Sequence, residues 1–186
     1  MLVVADDEQS TVKQARAGSP DAWDALFRRY QLPLYVYVFE LVHHEQTSLD
    51  VVQETFINAA RHLDGLRADA KFGSWMFRIA HQKCVQHWRK QSSAPDFTAE
   101  LDVESPDEQL DPGELLLRRE QEEKFMTLLS QLPPTHRSVV LLHYVEDFSL
   151  EEIAAITGAQ LGTVKSRLHY ARHSLRRMLD EPSDAN

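Results

Sequence analysis

A chain of 186 residues, 42% hydrophobic and 26% charged, has the composition of a folded globular protein and the length of one domain or two small ones. Its single cysteine, Cys84, excludes an internal disulfide framework. A formal net charge of −9 argues against a nucleic-acid partner only until the charges are placed along the chain. Asp96, Glu100, Asp102, Glu104, Asp107, Glu108, Asp111 and Glu114 form a run without Lys or Arg. Lys71, Arg78, Lys83, Arg89 and Lys90, and again Lys165, Arg167, Arg172, Arg176 and Arg177, stand in windows without acids. The acidic start (Asp6, Asp7, Glu8) is unlike a signal peptide, and the most apolar stretch, 32–42, is broken by Pro33 and Glu40 and is too short to span a bilayer. A cytoplasmic protein with no membrane insertion is expected.

Taken in chain order, the elements read as helices, and no period-two strand pattern appears. Ser19-Pro20-Asp21 predicts a helix start, with Ser19 as N-cap and Pro20 at the first position, where its missing N–H costs nothing. Trp23, Leu26, Phe27 and Tyr30 follow at helical spacing as expected core, and Pro33 is a kink site. A second helix is predicted from about Ser48 to Leu63, with Val52, Thr55, Phe56, Ala59 and Leu63 on its apolar face and Gly65 near its end. A third is predicted from about Gly73 to Lys90, with Trp75, Met76, Ile79, Ala80 and Val85 available for packing. The stretch 91–113 holds Ser92-Ser93, Pro95, Ser105-Pro106, Pro112-Gly113 and most of the acidic run, too little apolar surface for a core, and reads as a flexible linker. Beyond it, helices are predicted from Leu115 to Leu132, stopped before Pro133-Pro134, and from about Thr135 to Val145. The expected fold is all-α: two small helical domains, 9–91 and 115–180, on an acidic tether, 92–114.

The end of the chain carries the sharpest motif. Ser149-Leu150-Glu151-Glu152 has capping-box spacing, Leu150, Ile153, Ala154 and Ile156 make a short amphipathic helix, and Gly158 allows a sharp turn. In the next helix, Leu161 to Arg177, residues Val164, Leu168, Ala171, Leu175 and Leu179 share one face, while Lys165, Ser166, Arg167, His169, Tyr170, Arg172 and Arg176 occupy the others. Short helix, turn and basic helix are the ingredients of a DNA-binding helix-turn-helix. The competing reading is a solvated basic face on a core helix.

Phe72, Trp75, Phe77 and Trp88 interleave with the first basic cluster, a combination suited to stacking unpaired bases while cations follow the phosphates, although aromatics at helical spacing are also ordinary core. His81, Cys84 and His87 are spaced by three, but His81 and His87 diverge around a helix and no fourth ligand lies near, so no metal is expected. His43-His44 reads as a helix end rather than a ligand pair. With no Gly-rich phosphate loop, nucleophile elbow or carboxylate pair, neither a cofactor nor enzymatic activity is expected.

With both basic segments in place, the chain resembles the extracytoplasmic-function (ECF) sigma factors of bacterial RNA polymerase, group IV of the sigma-70 family. Asp50-Val51-Val52-Gln53-Glu54-Thr55-Phe56 is similar to the family's region-two helix that binds the clamp of the largest polymerase subunit, which implies Asp50, Val51, Gln53, Glu54 and Phe56 as polymerase contacts. Phe72-Gly73-Ser74-Trp75-Met76-Phe77-Arg78-Ile79-Ala80 resembles the segment that recognises and melts the −10 element. By that resemblance Lys71, Phe72, Trp75, Arg78 and Lys83 face DNA, and the family's flipped-base pocket falls on the loop Gly65 to Lys71, with Leu66 and Arg67, together with Gln82. Phe148 to Arg172, containing Gly162-Thr163-Val164-Lys165-Ser166-Arg167-Leu168, resembles the region-four −35 reader, which implies Thr163, Lys165, Ser166, Arg167, His169, Tyr170, Arg172 and Arg176 as contacts.

The resemblance further implies that the protein is a dissociable subunit of RNA polymerase. It would contact the clamp helices and the flap, open promoter DNA by binding energy alone, and be held by an anti-sigma factor. The acidic run is then either a nucleic-acid mimic threading into the polymerase or a solvated tether. The chain departs from its relatives at Gln82, where Asn is frequent, and at Tyr170, where Arg is frequent. Two alternatives stand beside this reading: a stand-alone helix-turn-helix regulator, which has no need of the face around Gln53 and Glu54, and a sigma mimic that titrates an anti-sigma factor, which has no need of Lys165, Arg167 and Arg172.

Overall fold

The computed structural model describes residues 3–91 and 119–180. The acidic linker expected over 92–114 lies outside the described residues. Every regular element among the described residues is helical. Among the described residues the chain divides into two compact units, 3–91 with 151–158, and 119–150 with 159–180.

The first unit begins with a helix that sequence reading overlooked, α1 (Val3–Arg16). Its C-terminus closes in a Schellman arrangement: the Ser19 N–H reaches Gln14 O at 3.0 Å, the Gly18 N–H reaches Ala15 O at 3.0 Å, and Gly18 takes φ +86°. The Trp23 indole N–H also donates to Ala15 O at 3.1 Å. Ser19 then caps α2 (Pro20–Val42), its hydroxyl accepting from the Ala22 N–H at 3.4 Å. The helix continues through Pro33, which has no N–H to donate to the Arg29 carbonyl.

Two histidines make the next corner. His43 ends α2 in the left-handed region at φ 53°, and the His44 imidazole Nδ1 accepts from the Thr47 N–H at 3.2 Å to start α3 (Glu45–His62). The helix therefore starts before Ser48. That serine is buried inside it, and its hydroxyl donates to His44 O at 2.9 Å. Short 3-10 turns at Leu63–Gly65 and Asp69–Lys71 lead into α4 (Phe72–Gln91).

Helix α2 packs against α1, α3 and α4, and α3 packs against α4. The core joins Leu26, Leu34, Tyr37 and Val38 to Val52, Phe56 and Ala59 and to Phe72, Met76, Phe77 and Ala80. Each large apolar side chain so buried contributes about 1.5–3 kcal/mol. Polar groups in this core pair with one another or with backbone: Tyr37 Oη lies 2.8 Å from His81 Nδ1, and the Trp88 indole donates to Leu41 O at 3.2 Å. Phe27, expected in the core, is 42% exposed, because the inward stripe of α2 passes through Ala22, Leu26 and Tyr30.

The second unit is built on α5 (Arg119–Ser130), α6 (Pro134–Val140) and α8 (Leu161–Asp180), with α8 packed against both others. Helix α5 ends earlier than expected, in i−3 bonds from the N–H groups of Gln131 and Leu132. Arg137, buried at 5% exposure, covers that end, its Nη2 donating to Ser130 O and Leu132 O at 2.5 and 2.8 Å. The helix expected over Thr135 to Val145 changes character midway. Leu141–Val145 is a π turn, closed by an i−5 bond from the Glu146 N–H to Leu141 O at 3.1 Å and followed by Asp147 at φ 59°. The short helix α7 (Leu150–Thr157), which from Glu151 onward is grouped with the first unit, follows directly after Ser149, with Ile153 and Ile156 buried.

Candidate nucleic-acid interface

The basic helix α8 is sorted as its periodicity requires. Gly158, at φ +72°, turns the chain after α7, and the Val164 N–H bonds Gln160 O at 3.0 Å to open α8. Val164, Leu168, Ala171 and Leu175 are buried, whereas Leu179, in the last turn of the helix, is 39% exposed instead of core. Lys165, Tyr170, Arg176 and Arg177 are exposed, and Thr163, Ser166, Arg167, His169 and Arg172 are half-buried. Ser166 donates its hydroxyl to Gly162 O at 3.0 Å, so towards a ligand it presents lone pairs. Two arginines act back on the unit that carries them. Burial first, and then the Arg167 charge, lower the His136 pKa. Burial raises the Tyr144 pKa while the Arg172 charge opposes it.

Helix α4 and the loop before it divide the other basic segment between core and surface. Phe72, Phe77 and Trp88 are buried, Phe72 with its ring edge-on to Tyr30 at 5.5 Å. Phe72 is thus a core residue and not the base contact expected of it, because positions 72, 76, 80 and 84 form the inward stripe. Lys71, Trp75, Arg78 and Gln82, at steps of four, three and four, form an outward stripe on which Trp75 is half-buried and the others are exposed. Lys83 is half-buried. In the preceding loop Leu66 is half-buried and Arg67 is exposed.

The loop is held from a direction that sequence reading missed. Arg16 at the end of α1 donates from Nη2 to Leu66 O at 3.2 Å and to Asp69 Oδ1 at 2.6 Å. A lone arginine 53 positions from its partner leaves no periodic or motif signal. Burial pushes the Cys84 thiol up to about 12, which keeps it protonated and unreactive. No group of three or more His, Cys, Asp or Glu among the described residues is arranged to hold a metal ion.

Helix α3 presents Asp50, Gln53 and Glu54 to solvent beside two exposed apolar residues, Leu49 at 47% and Ile57 at 43%. Val51 and Phe56, expected as contacts on this face, are buried; Phe56 packs its ring 4.8 Å from Phe27. A seven-residue string on a helix covers all its faces, and Val51, Val52, Thr55 and Phe56 point inward. Leu49 and Ile57 lie outside that string and were not singled out from sequence.

No helix among the described residues is long and apolar enough to cross a membrane. Residues 26–94 match the family described as Sigma-70 region 2, and residues 122–175 match Sigma-70, region 4. The RNA polymerase sigma-H factor of Pseudomonas aeruginosa is 31% identical over 96% of this chain and 96% of its own. The ECF RNA polymerase sigma-E factor of Salmonella typhimurium is 33% identical over 90% of this chain and 92% of its own. Among solved structures, CnrH in complex with the cytosolic domain of CnrY aligns at a TM-score of 0.68 and 25% identity, covering 95% of this chain and 99% of that one. Two basic helices, an acidic and apolar face on α3, and relatives matched along nearly their whole length agree: the chain belongs to the ECF family of RNA polymerase sigma factors.

Proposed function

We propose that this sigma factor docks on the clamp of core polymerase through the outward face of α3, with Asp50, Gln53 and Glu54 as polar contacts and Leu49 and Ile57 as apolar ones. Lys71, Trp75, Arg78, Gln82 and Lys83, with Leu66 and Arg67 of the loop, engage and open the −10 element. Thr163, Lys165, Ser166, Arg167, His169, Tyr170 and Arg172 of α8 engage the −35 element at base edges and backbone, Arg176 holds its phosphates, and the second unit also meets the flap. The observation that carries this reading is the separation of faces in one small unit: α3 exposes acids and apolar groups while α4 exposes a basic stripe with one accessible aromatic, Trp75. A stand-alone duplex reader has no need of the α3 face. The protein works in the cytoplasm as a binding subunit, without a catalytic step of its own. An anti-sigma factor is the expected antagonist.

The test is run-off transcription with purified core polymerase and mapping of the start sites. Promoter-dependent transcripts with wild-type protein, and none after replacement of Gln53 and Glu54, support the assignment. Normal core binding by a folded Gln53→Ala, Glu54→Ala variant counts against the α3 contact.

A further inference from the structure

We propose that Arg16 is a positioning residue for base selection at the −10 element, a clamp thrown from α1 across the loop that carries Leu66 and Arg67. One nitrogen, Nη2, carries two hydrogens and spends them at the two ends of a four-residue segment: on the Leu66 carbonyl at 3.2 Å and on the Asp69 carboxylate at 2.6 Å. Between these anchors Arg67 and Ala68 are exposed. The clamp fixes where the loop turns outward, while its tip stays open to a ligand.

The geometry marks this as more than a surface ion pair. The side chains of Arg16 and Asp69 are 29% and 13% exposed, so water competes poorly for them. The guanidinium holds its orientation even though Nε is buried with no acceptor among the described residues, so the two Nη2 bonds decide how it lies. Its base is rigid as well, because the Schellman closure at Gly18 and the Trp23 indole on Ala15 O pin the turn of α1 from which Arg16 projects. Arg16 also precedes residue 26, where the region-two match begins, so the clamp comes from outside the matched segment.

Base discrimination depends on holding donors and acceptors within a fraction of an ångström of the productive position. A loop tied at both ends can do this, and the same loop released from Arg16 samples many arrangements. The inference rests on the reading that this loop forms the base pocket.

The experiment uses holoenzyme formed from the full chain on a template library randomised over the −10 element, with open complexes captured and sequenced. Wild-type protein should discriminate roughly 5- to 150-fold at a well-read position. Arg16→Ala should reduce that ratio to within about threefold, with core affinity and −35 duplex binding unchanged. Asp69→Asn, which keeps an acceptor but loses the charge, should fall between, and Arg16→Lys should restore part of the discrimination. Should Arg16→Ala fail to fold, Asp69→Asn carries the test alone.

Two further variants, Leu66→Ala and Arg67→Ala, separate the failures. If they shift base preference while Arg16→Ala and Asp69→Asn leave it at the wild-type ratio, the clamp is wrong and the pocket stands. If neither shifts preference, the pocket reading falls and the clamp falls with it.

Discussion

Lys83 on α4 and Glu54 on α3 are joined by an ion pair, Nζ to Oε2 at 2.5 Å, that ties the candidate DNA face to the candidate polymerase face. Their side chains are 19% and 62% exposed, so the pair is strongly hydrated on the glutamate side. Exposed pairs contribute at most about 1 kcal/mol. Glu54→Gln should therefore leave unfolding of the free protein nearly unchanged, and a double-mutant cycle with Lys83→Met should give a coupling of about 0.5 kcal/mol or less. Core binding by Glu54→Gln, followed by fluorescence titration, should weaken by roughly fivefold or more, the loss of a charged contact at an interface. A large stability loss with unchanged core affinity would assign Glu54 to the fold instead.

Gly73 opens α4 beneath the Tyr30 hydroxyl, and a Cβ placed there would lie 2.8 Å from that oxygen. The ring cannot swing away freely, since Tyr30 is buried at 9% exposure and its hydroxyl donates to Glu8 Oε2 at 2.9 Å. Gly73→Ala should destabilise the first unit by about 1–3 kcal/mol, the usual cost of overpacking, despite alanine's better helix propensity. Tyr30→Phe removes the clashing atom, so Gly73→Ala with Tyr30→Phe should be more stable than Gly73→Ala alone. Trp23, Trp75 and Trp88, the three tryptophans of the chain, all lie in this unit, and urea unfolding followed by tryptophan fluorescence reads it directly. A double variant no better than the single one would remove the clash from the explanation.

What sequence could reveal depended on how far apart the interacting residues lie. The helical faces of α3 and α8 follow from i, i+3 and i+4 spacing, and Ser19-Pro20 marks a helix start by local chemistry alone. Phe72 and Trp75 look alike as interleaved aromatics, yet one is core and the other half-exposed, because only the packing of α4 on α2 decides which stripe faces inward. The His44 cap was hidden because an imidazole stands where a hydroxyl or carboxylate is usual. Arg16 on Asp69 was hidden because no local pattern records a contact between α1 and a distant turn. Arg137 reaches back only as far as Ser130, but one arginine among prolines and aliphatic residues does not announce that it caps a helix.

Burial raises the Glu146 carboxyl from 4.5 to about 7. A carboxyl whose folded pKa lies above its unfolded value binds more protons in the folded state, so its contribution to stability is lost as pH rises from about 4.5 through 7. His136 works in the opposite direction: burial, then Arg167, lower its pKa, so its contribution is lost as pH falls below its unfolded value of 6.5. The wild-type profile mixes both slopes, and the difference between wild type and Glu146→Gln isolates the carboxylate. In thermal melts followed by far-UV circular dichroism, Glu146→Gln should be more stable than wild type at pH 8 and nearly equal to it at pH 5. Equal melting at both would show that Glu146 titrates as an exposed group.

Tyr170 and Arg176 lie on the same helix and should fail in different ways. Arg176 is exposed near the end of α8, beyond the half proposed to reach base edges, and on that reading it holds phosphate. Arg176→Ala should weaken binding to −35 duplexes of any sequence by a similar factor, and should reduce the slope of log affinity against log salt by roughly 0.9. Tyr170 is 45% exposed, uncharged, and edge-on to His169 at a ring distance of 5.7 Å in the reading half of the helix. Tyr170→Ala releases no counterion, so the salt slope should hold while preference among −35 sequences changes by roughly 5- to 150-fold at the position it touches. Both quantities come from one set of anisotropy titrations on a panel of duplexes at several salt concentrations. A change of slope in Tyr170→Ala, or a change of sequence preference in Arg176→Ala, would exchange the two roles. Tyr170→Arg should steepen the slope, because an added cation in the groove displaces a counterion whichever atom it contacts.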